Sequence, residues 1–205
     1  HPHPRSHPGQ LLVVGAARAD GVRGAAYIFE CQGLAWAQVA KLSDAHGAPG
    51  DRFGTSVAVQ THESSASQAW VLAGSKHKSV GALHNGVAFL YRQTSGHGNS
   101  TSSNMSYILS KTLVPPARDG ALVGGTVAMS DGLILLSSYG AGCNPMPGEI
   151  CESHPDYGKV YLYSSCTSSY GVTSFAVHSI SSTAHPLNAS QASNSTIGNV
   201  TNTNI

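Results

Sequence analysis

The sequence predicts an all-β protein built from a repeated four-stranded unit. Three observations carry that reading. Eleven short runs of β-forming residues alternate with Gly, Ser, Asn and Asp clusters. No segment longer than twelve residues keeps a helical period. The order of the runs recurs along the chain. Short strands with regular turn signals indicate an all-β architecture, and self-similarity at a fixed spacing indicates a repeat.

The runs are Leu11–Val14, Ala25–Phe29, Trp36–Leu42, Thr55–Val59, Trp70–Ala73 and Val87–Tyr91. They continue with Tyr107–Leu113, Thr126–Met129, Leu133–Leu136, Val160–Tyr163 and Phe175–Ile180. Three times, an apolar strand ending in small residues is followed by a loop and then by a Gly that opens an aromatic-rich strand. The leading glycines are Gly24, Gly86 and Gly158, spaced by 62 and then 72 positions. Before two of these pairs stands a further strand, 50–59 and 122–129, and after each comes a terminal apolar strand. Four short strands every 60–70 residues fit a β-propeller blade folded as a meander. One such sheet cannot bury both of its faces, so blades stack in arrays. Asp131-Gly132 between two apolar runs is a tight hairpin signal.

The units are expected at about 11–49, 50–117 and 118–180. A Pro/His-rich lead (1–10) precedes them, and a Ser/Asn/Thr-rich tail read as disordered (181–205) follows. Because closed propellers usually have four to eight blades, three units read as part of a larger propeller, or as an arc completed by an oligomer partner. The segment opens at His1 with no basic-then-apolar leader, and so reads as a fragment or a mature segment.

Composition excludes several functions. Charged residues make up 10% of the chain and the net charge is +1, against about 25% charged in ordinary domains. That balance opposes an electrostatic nucleic-acid binder. No apolar run nears the roughly 20 residues of a membrane span. No G-x-S-x-G elbow, H-E-x-x-H helix, phosphate loop or dinucleotide fingerprint occurs. Catalytic residues, cofactor and metal are therefore all expected to be none. The Lys76-His77-Lys78 triplet reads as a solvated loop.

The four-part unit resembles the FG-GAP repeat of integrin α-subunit propellers and their relatives. Gly50-Asp51-Arg52-Phe53-Gly54-Thr55-Ser56-Val57-Ala58 carries the first part in full. Val14-Gly15-Ala16 carries the second without its Pro, and Gly24-Ala25-Ala26-Tyr27-Ile28-Phe29 with Trp36 carries the rest. The likeness weakens in the third unit, where Val123-Gly124 replaces Phe-Gly and Ser137-Ser138 replaces Gly-Ala. Positions assigned to the structural motif are Gly15, Gly24, Tyr27, Phe29, Trp36, Phe53, Gly54, Gly74, Gly86, Gly124 and Gly158. Phe53 can anchor neighbouring sheets, and Gly15 and Gly54 allow another backbone to come close. The calcium loop of some family members needs several carboxylates. The connection 60–68 holds one acid and 130–132 holds one, so no blade calcium is expected.

The long connection 139–157 holds Glu149, Glu152 and Asp156, which are candidate ligand-binding residues if it is a binding loop rather than a plain surface insertion. Cys143 and Cys151 in it either close a small disulfide ring or stay free. Asn99, Asn104, Asn188, Asn194 and Asn199 are possible glycosylation acceptors. The resemblance implies a non-catalytic binding or adhesion module that presents blade loops to a protein or glycan at the cell surface or outside the cell. The alternative is the propeller of a secreted hydrolase, or an accessory to one, which would need Asp, Glu or His converging at the central axis.

Overall fold

In the computed structural model the described residues are 10–61, 69–94, 106–116, 120–138, 159–167, 173–181 and 203–204. Three antiparallel sheets follow one another along the chain, consistent with propeller blades. The first contains β1 (Leu11–Ala16), β2 (Ala25–Gln32) and β3 (Ala35–Leu42). The second contains β4 (Phe53–Thr61), β5 (Ala69–Ser75), β6 (Val87–Thr94) and β7 (Ser106–Leu113). The third contains β8 (Val127–Ser130), β9 (Leu133–Ser138), β10 (Lys159–Thr167) and β11 (Thr173–Ser181). A two-residue strand, β12 (Thr203–Asn204), joins this sheet by pairing with β11 from within the segment read as a disordered tail. The first sheet has three strands among the described residues rather than four: it holds no counterpart of β4 and β8.

The repeat is visible in the backbone irregularities as well as in strand order. The β2–β3 register slips between Ile28 and Phe29, and the β6–β7 register slips at the equivalent place, between Leu90 and Tyr91. Each slip leaves one extra residue, Val39 or Ser110, on the outer strand, as a β-bulge does. Asp131 and Gly132, both at positive φ, join β8 to β9 with Ser130 opposite Leu133, the geometry of a two-residue hairpin.

Burial follows from stacking. β6 is buried over its first five residues, on both faces, because the second sheet lies between the other two. Its Phe89 and Tyr91 pack with Val71 and Ala73 against Ile28 and Ala26 of the first sheet. On the other face, Leu72, Ala88 and Leu90 pack against Ile134, Leu136, Tyr161 and Tyr163 of the third. β1 alternates instead: Leu11 and Val13 turn to the core, while Leu12 and Val14 are exposed. The third sheet likewise exposes Leu133, Leu135 and Val160 on its far face. A strand covered on both sides reads as a continuous apolar run, and one covered on a single side alternates.

The seams between sheets use one lock twice. Gly24 bridges Phe53 in parallel fashion, and Gly86 bridges Val123 in the same way. A Cβ on Gly15 would meet the carbonyl oxygen of Gly54, and a Cβ on Gly74 would meet that of Gly124, both well inside 3.0 Å. Ser75 Oγ donates to the Asp51 carbonyl (2.8 Å) and Ser138 Oγ to the Ala121 carbonyl (2.7 Å). Ser137 stands at the Gly15/Gly74 position in the third sheet, so that sheet lacks the gap.

Gly15→Ala and Gly74→Ala are expected to cost about 3 kcal/mol each, as overpacking against rigid backbone does. Gly125, whose Cβ would touch only Leu122 O at 3.4 Å, is the control. Thermal melts of the three alanine variants check this: similar losses at all three positions contradict the lock.

Candidate binding face

Because the strands run antiparallel, alternate connections gather at one end of the sheets. The end formed by 17–24, 43–52, 76–86 and 114–126 is the better described, and its connections hold one another. After β1 the chain makes a single tight turn, α1 (Ala19–Val22), in which Asp20, Gly21 and Val22 all have positive φ. A β-branched residue in that region is strained. The Val22 carbonyl faces the next unit as a result and accepts from Gly50 N–H (3.0 Å) and Arg52 N–H (3.4 Å), while the Arg23 carbonyl accepts from Phe53 N–H (2.8 Å). The pattern recurs one unit on: the Leu83, His84 and Asn85 carbonyls accept from Gly120, Leu122 and Val123 N–H at 2.8, 3.2 and 2.9 Å.

The 76–86 connection is closed by its own side chains. Asn85 is buried; its Oδ1 accepts from Val80 N–H (2.9 Å) and its Nδ2 donates to the Val80 carbonyl (2.8 Å). Ser79 Oγ accepts from His84 N–H (2.9 Å), and His84 Nδ1 lies 2.8 Å from the His77 carbonyl. The two imidazoles meet edge to face at 5.7 Å. This wiring leaves Leu83 61% exposed at the tip, with Val80 beside it.

An ion cluster lies beneath. Lys78 Nζ pairs with Asp44 and Asp51, all three side chains being 15% exposed or less. Asp44 and Asp51 are themselves held by the 43–52 turn: His46 N–H donates to Asp44 Oδ1 and Ala48 N–H to Asp51 Oδ2, both at 2.9 Å. Lys78 is therefore not the solvated side chain its sequence setting suggests. Burial alone would lower its pKa, but the bond to Asp44 and the fields of both carboxylates outweigh it, and the net shift is upward. His77 shifts down, through burial first and then the positive fields of Arg52, Lys76 and His84. Tyr91, whose hydroxyl donates to the Ser43 carbonyl (3.1 Å), is pushed up by burial and further by Asp44. Tyr107 is pushed up to about 12, by burial and then Glu30.

The motif positions fall into two groups. Phe53 is fully buried, 5.3 Å from the ring of Phe89 and 6.2 Å from that of Tyr91. Gly24, Gly54, Gly74, Gly86 and Gly124 are buried at the seams, and Gly15 meets Gly54 there. Tyr27 and Phe29 are half-buried on the far face of the first sheet, and Trp36 is 48% exposed on β3. Gly158, Glu149, Glu152, Asp156, Cys143, Cys151, Asn99, Asn104, Asn188, Asn194 and Asn199 lie outside the described residues. Among the described residues no group of three or more His, Cys, Asp or Glu side chains could hold a metal ion, and no helix is long and apolar enough to cross a membrane. Sequence reasoning quoted Asp51 within the repeat motif and Lys78 within a triplet read as a solvated loop, gave neither a site role, and did not single out Asp44 or Asn85. The available signal was an acid at Asp51 where the third unit has Ala121.

The FG-GAP repeat family matches residues 36–62, which spans β3, the turn carrying Asp44 and Asp51, and β4 with Phe53 and Gly54. No curated protein is similar enough to the chain to add to this match. Residues 36–62 are thus similar to an FG-GAP repeat; the match does not select the integrin branch of that family.

Lys78→Met is expected to cost about 2–3 kcal/mol, somewhat below the loss for a fully buried broken pair, because it strands two carboxylates. Titration has the same sign. The folded pKa lies above the ordinary 10.5, so the contribution is complete below 10.5 and is lost as pH rises through the folded value. Alkaline melts should show a steeper loss in the parent chain than in Lys78→Met, since the buried Tyr91 and Tyr107 hydroxyls, also raised, add the same loss to both. Asn85→Ala leaves two Val80 backbone groups unpaired and should cost about 1–2 kcal/mol, with faster amide exchange at Val80 and His84. Unchanged exchange there would contradict the proposed wiring.

Proposed function

Taking the chain as an FG-GAP repeat protein made of propeller-type blades, we propose that it is a non-catalytic binding or adhesion module. It engages a protein or glycan at the cell surface or outside the cell through the face formed by 17–24, 43–52 and 76–86. The observation that carries this is the 76–86 connection: a wired, rigid loop that holds an apolar tip out to solvent on a stacked scaffold. Rigid loops on such scaffolds are where binding commonly resides. FG-GAP repeats are typically non-catalytic and occur in extracellular proteins, which supports the class and the setting. The described acids Asp20, Asp44 and Asp51 at this face are engaged with Lys41 or Lys78 rather than turned toward a common cleft. Connection 139–157, with Glu149, Glu152 and Asp156, joins β9 to β10 as 76–86 joins β5 to β6, and belongs to the same proposal.

Further blades complete the propeller in this reading. The exposed Leu12 and Val14 occupy the positions that Val71 and Ala73 hold in the second sheet, where a neighbouring sheet covers them.

Attachment of intact cells to surfaces coated with the chain tests the function. The expected result is saturable attachment by the parent chain and loss of most of it in Leu83→Ser, with an unchanged melt. No saturable attachment, or equal attachment by Leu83→Ser, contradicts the reading.

A further inference from the structure

We propose that the ligand of this face is an acidic protein segment carrying an apolar side chain, received between Leu83 and the cations Arg52 and Lys76. The inference rests on the binding-module reading and adds the chemistry of the partner.

Charge is unevenly placed on the molecule. The chain as a whole is nearly neutral, yet this end gathers Arg18, Arg23, Lys41, Arg52, Lys76 and Lys78. The carboxylates near it among the described residues are Asp20, Asp44 and Asp51, and all three are taken up: Asp20 pairs with Lys41 at 2.8 Å, and the other two pair with Lys78. Arg18, Arg23, Arg52 and Lys76 have no carboxylate partner among the described residues. His77 N–H donates to the Asp51 carbonyl (3.3 Å), which sets Arg52 beside the connection that carries Lys76, and after burial the fields of Arg52 and Lys76 add to the downward shift of His77. Among the described residues these cations are left unneutralised, and cations held on ordered connections favour an anionic partner and speed its encounter.

The apolar side chains decide the class of partner. Val22, Val80 and Leu83 are exposed at this same end, and Leu83 is the most exposed of the three. The Asn85 and Ser79 bonds and the seam contacts of 83–85 fix Val80 and Leu83, and the bonds from Gly50 and Arg52 to its carbonyl fix Val22, so presenting them costs little ordering on binding. An apolar anchor on the same connection as Lys76 suits a protein segment. Sugar rings are usually gripped by flat aromatic faces, but among the described residues the exposed aromatic, Trp36, follows the β2–β3 turn, at the other end of its sheet. A sulfated glycan would use the cations and leave Leu83 idle.

The test uses the whole chain and fluorescence anisotropy with three probes: a labelled peptide alternating Glu with Leu, the same peptide with Gln for Glu, and a labelled heparin fragment. The acidic peptide should bind best, and raising salt from about 50 to 500 mM should weaken it several-fold as the charges are screened. Lys76→Glu and Leu83→Ser should each weaken it about fivefold or more. Leu34→Ser, at the opposite end and 83% exposed, should leave it unchanged. Equal binding of the Gln peptide, heparin binding that is stronger and indifferent to Leu83→Ser, or no effect of either loop variant overturns the proposal. If cells attach through Leu83 while the acidic peptide does not bind, only the partner chemistry is wrong. If attachment itself fails, the binding-module reading is wrong with it.

Discussion

The missing Cβ atoms at Gly15 and Gly74 set the distance between one sheet and the next. At each seam a carbonyl oxygen of the following unit, from Gly54 or Gly124, occupies space that any other residue would fill. That approach lets Phe53 and Val123 reach the bridges with Gly24 and Gly86. Phe53 then sits among Phe89, Tyr91 and Val71 with no exposed surface. A wider seam would leave voids beside these side chains, and interiors tolerate voids poorly. The lock is directional: the first two units offer a glycine, on β1 and β5, and receive the next unit's turn. The third unit offers Ser137, whose N–H donates to the Thr126 carbonyl of its own sheet (3.0 Å).

The loop face inherits its rigidity from the seams. Carbonyls of the second-to-third strand connections, Val22 and Arg23 in one unit and Leu83 to Asn85 in the next, are the acceptors that receive the following turn. The connections that face solvent are therefore also the parts that join the blades. The Asp44–Lys78–Asp51 cluster ties 43–52 to 76–86 at the first of these joints. Among the described residues it has no counterpart at the second, where Ala121 stands in place of Asp51, so the described parts of the two seams share backbone geometry and differ in electrostatics.

The strands were legible because each carries its own signal. Every one of the eleven β-forming runs falls within β1 to β11 or, for Thr126, one residue before β8. The pairing of Gly with Phe or Val at the seams was legible as a motif, since the glycines recur at fixed places in the repeat. The ion cluster was not. Lys78 lies 27 residues from Asp51, and nothing in a Lys-His-Lys triplet indicates that its last member turns inward. The left-handed turn at Asp20–Val22 was also hidden, because a valine there runs against local preference and its carbonyl takes its bonds from the next unit. Strands announce themselves by composition, whereas joints between units depend on residues brought together by the fold.

Amide exchange measured residue by residue on the intact chain tests the seams most directly. Phe53 N–H and Val123 N–H donate across the two seams, to the Arg23 and Asn85 carbonyls. If the lock holds the sheets as one cooperative body, these two amides exchange as slowly as those at the centre of β5 and β6, and all slow together as stability rises. If they exchange orders of magnitude faster while the strands stay protected, the sheets are independent units and the seam is not what holds them.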